Sequence, residues 1–141
     1  MLADLVLVGP RAAGESEGAP SDMVSDLVMR SPAPVLIIPE GMALGDPGAP
    51  ALVAWNGSAE ACVALRRAVP LLEGARGVFI ASVAETTERE RYDVPPEEAA
   101  AYLAGRGIAS EVVAIERGEA RIADILFSAA QLRGCGLMVM G

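Results

Sequence analysis

Residues 51–72 read ALVAWNGSAEACVALRRAVPLL. An apolar run opens the stretch, Asn56-Gly57-Ser58 interrupts it, and Cys62, Leu65, Val69 and Leu72 then recur at spacings of three and four. A continuous apolar run of this length reads as a strand covered on both faces, and the spacing after it as a helix with one buried stripe. Ser58 stands where a side-chain oxygen caps the first helical amides, and Glu60 sits near the positive end of the helix. A hairpin at Asn-Gly is excluded, because helical and not alternating periodicity follows it. The segment is therefore a strand that turns into a helix, the first half of a βαβ unit.

The same alternation extends in both directions. Downstream, Pro70 should bend the last helical turn and Gly74 end it. A strand at 78–83 follows, then the charged loop ETTERERYD at 85–93, which reads as a solvated loop and not as an acid and base pair or a metal site. Pro95-Pro96-Glu97-Glu98 opens a helix through Leu103, with proline and acidic residues where a helix start tolerates them. Residues 111–116 suit an edge strand. A helix at 120–132 should bury Ile122, Ile125, Leu126 and Ala129, and a last strand occupies 137–140. Upstream, 5–8 is a strand and 9–20 a glycine-rich loop. Ser21 reads as an N-cap, Val24, Leu27 and Val28 as the buried stripe of a short helix, and 35–38 as a second strand. Met23, Met29, Met138 and Met140 also fall at core spacing. Residues 41–50 carry glycine and proline without periodicity and read as a linker. The fold class is α/β, a doubly wound parallel sheet, and ligands of such sheets bind beyond the carboxyl ends of the strands.

Composition narrows the chemistry. With 141 residues, 52% of them apolar and 21% charged, the chain supports one ordinary core. Its apolar runs, such as 35–38 and 137–140, fall far short of the roughly 20 residues that cross a bilayer. The net charge of −8 and the lack of a basic stripe argue against a nucleic-acid surface. All 11 basic residues are arginine and histidine is absent. A Walker-type lysine, a Schiff base, a pyridoxal phosphate attachment and a histidine general base are thereby excluded. Cys62 and Cys135 form no CxxC pair and lie in apolar sequence, as thiols of reducing compartments do, so the cytoplasm is the expected location. A reactive thiol is the alternative for either cysteine.

On residues 51–72, the strand ending Ser82-Val83, the terminal LMVMG and the pattern ADLVLVG, helix, PVLIIPE of residues 3–40, the chain resembles the universal stress protein family, UspA-like. That resemblance implies a Rossmann-like sheet of the adenine nucleotide alpha hydrolase-like kind, with strand order 3-2-1-4-5. It implies a tandem arrangement: 1–40 as the last strand, helix and strand of one such domain, 41–50 as a linker, and 51–141 as the first four strands of the next. By position it assigns ATP or AMP binding to Ala54, Trp55, Asn56, Val83, Met140 and Gly141. Asn56 stands where nucleotide-binding members usually have aspartate, which replaces a charge-assisted grip on ribose by a neutral one. The resemblance also implies pairing through the strand at 35–38, as a homodimer or an intramolecular pseudo-dimer.

The family's phosphate loop runs Gly, two residues, Gly, nine residues, Gly, then Ser or Thr. After Gly9 the matching places hold Ala12, Asp22 and Met23, and Glu15, Glu17 and Asp22 would repel phosphate, so no ATP is expected in the first unit. In the second unit the loop would start at Gly141. Either the chain is a truncated tandem protein or the first unit supplies what the second lacks. The expected function is a non-catalytic module of the stress response. The alternatives are an adenine-nucleotide hydrolase or transferase of a related fold, and an interaction domain without ligand.

Overall fold

A computed structural model describes residues 3–9, 20–39, 45–84 and 94–141, with the side chains of residues 20–22 left aside. The loop expected at 10–19, including Ala12, Glu15 and Glu17, and the charged run at 85–93 lie outside the described residues. The chain divides into two compact units, Met1–Gly45 and Asp46–Gly141.

Unit 1 is a βαβ element of β1 (Val6–Val8), α1 (Pro20–Arg30) and β2 (Val35–Ile37). The strands pair in parallel with Val6 opposite Val35 and Val8 opposite Ile37, and the Ile38 amide still donates to the Val8 carbonyl at 2.8 Å. Ser21 lies inside α1 instead of capping it, since the helix starts at Pro20, whose fixed φ suits a first turn. Val24 and Leu27 are half-buried, but Val28 is 54% exposed, so the expected stripe is narrower by one residue.

Unit 2 holds β3 (Ala51–Ala54), α2 (Ala59–Leu72), β4 (Val78–Ala84), α3 (Pro96–Ala104), β5 (Ser110–Glu116), α4 (Ile122–Leu132) and β6 (Leu137–Val139). The order in the sheet is β5-β4-β3-β6, all parallel, with β5 on an edge as its charged flanks require. Counted within the unit, this is third, second, first, fourth. Both faces are covered. Ala51, Val53 and Trp55 point into a core shared with Ala61, Leu65, Ala68 and Leu72 of α2 and Ala99 and Leu103 of α3, whereas Leu52 and Ala81 pack with Leu126, Ala129 and Ala130 of α4. Two-sided burial explains why β3 is an unbroken apolar run.

Helix phases differ slightly from expectation. In α2 the fully buried positions are Ala61, Leu65, Ala68 and Leu72, with Cys62 and Val69 on the flank, because small alanines let the helix sit close to the sheet. Pro70 stays within α2, near its end, and Glu73 closes the helix by donating to the Val69 carbonyl at 3.0 Å. In α4 the buried residues are Leu126, Ala129 and Ala130. Ile122 in its first turn is 38% exposed and Ile125 half-buried. The methionines depart furthest: Met138 packs against the α4 core, but Met23, Met29 and Met140 are 56%, 82% and 61% exposed. Spacing puts a residue on a face, and among the described residues of its own unit nothing buries any of these three. Among the described residues no helix is long and apolar enough to cross a membrane.

The start of unit 2 is fixed to its own body. Asp46 accepts from the Gly48 amide at 2.8 Å and from the Arg76 guanidinium at 2.6 Å, and the Arg76 amide donates to the Gly48 carbonyl at 3.0 Å. The Arg76 hydrogen bond, then that of Gly48, holds the Asp46 carboxyl below its ordinary range.

Candidate functional site

A parallel strand that leaves the sheet into a helix exposes its last residues and the helix's first amides at one place. In unit 2 this happens at the carboxyl end of β3. Pairing continues one residue beyond the strand, since the Trp55 amide donates to the Ala81 carbonyl at 2.8 Å. Asn56 then folds back: its Oδ1 accepts from the Ser58 amide at 3.1 Å, an Asx turn. Gly57 at φ +72° takes the left-handed conformation that an L side chain resists. Ser58 caps α2 as expected, its Oγ accepting from the Ala61 amide at 3.1 Å.

β4 and β6 flank β3, so the six residues named from the sequence all lie at this end of unit 2, but they do different things. Ala54 and Val83 are half-buried on the α4 side. Asn56 and Met140 are exposed. Trp55 is only 4% exposed: its ring belongs to the core with α2 and α3, and its indole N–H donates to the Val94 carbonyl at 2.9 Å. It offers no stacking face. Gly141 passes so close to the first turn of α2 that a methyl group there would overlap the Glu60 carbonyl and lie 2.7 Å from the Ala61 nitrogen. A side chain at that point would force one of the two backbone segments to shift.

Val94 escaped the sequence reading. Its carbonyl takes the Trp55 indole and its amide donates to the Gly57 carbonyl at 3.3 Å, so it ties the entrance of α3 to the Asn56 turn. Both contacts use backbone atoms, which leave no mark in a sequence beyond the position just before Pro95-Pro96.

Elsewhere, a groove of about 520 Å³ runs between β5 and α4, lined by Val113, Ile115, Ile125, Ala129 and Leu132, and by Arg133. None of the six residues lines it. The reactive-thiol alternative finds no support at Cys135, whose thiol burial pushes up against the opposing influence of Arg133. Among the described residues no group of three or more Cys, Asp or Glu could hold a metal ion.

The parallel sheet and the helices on its faces define an α/β protein of the Rossmann-like type. Neither a family model nor a curated protein matches the sequence. Among solved structures, the chain is similar to the crystal structure of a protein from the universal stress protein family from Burkholderia pseudomallei. The two share 27% identity over 69% of this chain and 83% of that chain, with a TM-score of 0.55. The chain is UspA-like, as residues 51–72 imply.

Proposed function

We propose that the protein is a non-catalytic module of the universal stress type, acting in the cytoplasm in a stress response, and that it holds an adenine nucleotide, ATP or AMP, weakly beyond the ends of β3, β4 and β6. The observation that carries this reading is the Asn56 turn at the head of α2. With one lone pair of Oδ1 committed to the Ser58 amide, the side chain presents its Nδ2 donors and the second lone pair to a ribose hydroxyl, without the charge-assisted bond that a carboxylate makes. Thermal unfolding with AMP, ATP and no nucleotide tests it. Ligand at 100 times Kd stabilises by about 2.7 kcal/mol, and no shift at millimolar nucleotide would leave a scaffold without ligand.

We further read residues 1–40 as the end of one such domain and 51–141 as the start of the next. In support, ADLVLVG and CGLMVMG, each an apolar run closed by glycine, form β1 and β6, both in parallel pairings. A reading frame continuing beyond Gly141 into a glycine-spaced loop ending in Gly-Ser or Gly-Thr is the expected finding; an unrelated continuation contradicts it. Pairing of two copies, or of two domains of one chain, through the strand at 35–38 is part of the same reading. Ile37, 47% exposed, is its first residue to mutate: Ile37→Asp should shift light-scattering mass from dimer to monomer, and an unchanged mass excludes that strand.

A further inference from the structure

We propose that Trp55 is the positioning residue at the carboxyl end of β3, acting through Val94 on the Asn56 turn. The inference rests on the nucleotide reading for its ligand but not for its geometry. The indole N–H donates to the Val94 carbonyl at 2.9 Å, and the amide of the same residue donates to the Gly57 carbonyl at 3.3 Å. A side chain from the end of β3 and the backbone two residues later thus grip one peptide segment from opposite sides, 39 residues away in sequence from Trp55.

The middle of that grip is Gly57, whose backbone is held at φ +72° between two polar commitments. Asn56 Oδ1 takes the Ser58 amide on one side of it, and Ser58 Oγ takes the Ala61 amide on the other. Asn56 itself is exposed, and its direction is set by the bond that its Oδ1 accepts from the Ser58 amide. Its orientation is inherited from the turn, and the turn from Val94. The indole ring is anchored because it is 4% exposed within the core shared by α2 and α3, so the donor cannot move without disturbing both helices. Trp55 touches no ligand in this arrangement; it decides where the Asn56 amide points.

Trp55→Phe keeps an aromatic ring in the core and removes the donor together with part of the ring volume. Val94→Pro removes the return bond from the other side, and serves as a second variant if the first fails to fold. Two readouts on the full chain separate the consequences. Amide hydrogen exchange at Ser58 and Ala61 should quicken about fivefold in each variant, the weight of one partly buried hydrogen bond, with the Val53 and Ile80 amides unchanged. AMP titration should show Kd rising by about the same factor, with the unfolding midpoint falling by roughly 4–8 °C per 1 kcal/mol lost. Wild-type exchange rates at Ser58 and Ala61 in a folded variant would overturn the proposal, as would an unchanged Kd for AMP. If the wild-type protein binds no AMP but the exchange rates respond as stated, the nucleotide reading fails and the positioning role of Trp55 stands.

Discussion

Unit 1 and unit 2 are built from the same kind of sequence and reach different degrees of burial. Leu7 in the middle of β1 is 57% exposed, whereas Leu52 in β3 is fully buried, although both stand inside short apolar runs. The difference is the number of neighbours. β3 has a strand on each side and helices over both faces; among the described residues of its unit, β1 has one partner strand and one helix. A two-stranded sheet is marginal in water by itself, while four strands between helices bury a continuous core. An apolar run states that a strand is fit to be covered. The rest of the fold decides whether it is.

The largest expected contrast comes from equal truncations in the two units. Leu52→Ala should cost about 2–5 kcal/mol in denaturant unfolding, and Leu7→Ala well under half of that, because an exposed side chain leaves no cavity. Comparable losses at both positions would mean that the exposed face of β1 is covered in solution. Next is Gly57→Ala, which forces an alanine to φ +72° and should cost roughly 1–2 kcal/mol. A smaller effect follows from Ser58→Ala, about 1 kcal/mol for the lost cap of α2. Neither change should alter exchange of the Val6 or Ile38 amides in unit 1, which makes them a check on the independence of the two units.

The smallest effect is that of acid on the Asp46 bridge. Its carboxyl is held low by Arg76, so the folded state favours the charged form: the contribution is full above the ordinary carboxylate range and fades as pH falls below about 4, through the lowered folded value. Because the pair is solvent-exposed, salt should screen it, and Asp46→Asn should remove the pH and salt response together.

The order of elements was legible throughout the described residues, because strand runs, caps and helix spacing are local signals. Ser58 was found as a cap for that reason. What spacing cannot show is the partner. Met23, Met29 and Met140 have core periodicity and lie in the open, and Val28 does the same on α1. Trp55 is the instructive case in the crevice. In β3, alternate residues face α2 with α3 or face α4, and a strand apolar on both sides does not announce which is which. The ring that position alone assigned to a ligand is therefore in the core. The backbone of Val94, reached only through the fold, connects it to Asn56.

The central claim is that the end of unit 2, and not unit 1, takes an adenine nucleotide. Amide chemical shifts of the full chain titrated with AMP test it most directly. The expected result is saturable movement at Asn56, Ser58, Val83, Met140 and Gly141, with Leu7, Leu36 and Ile37 unmoved. No movement at millimolar AMP, or movement confined to unit 1, would contradict it.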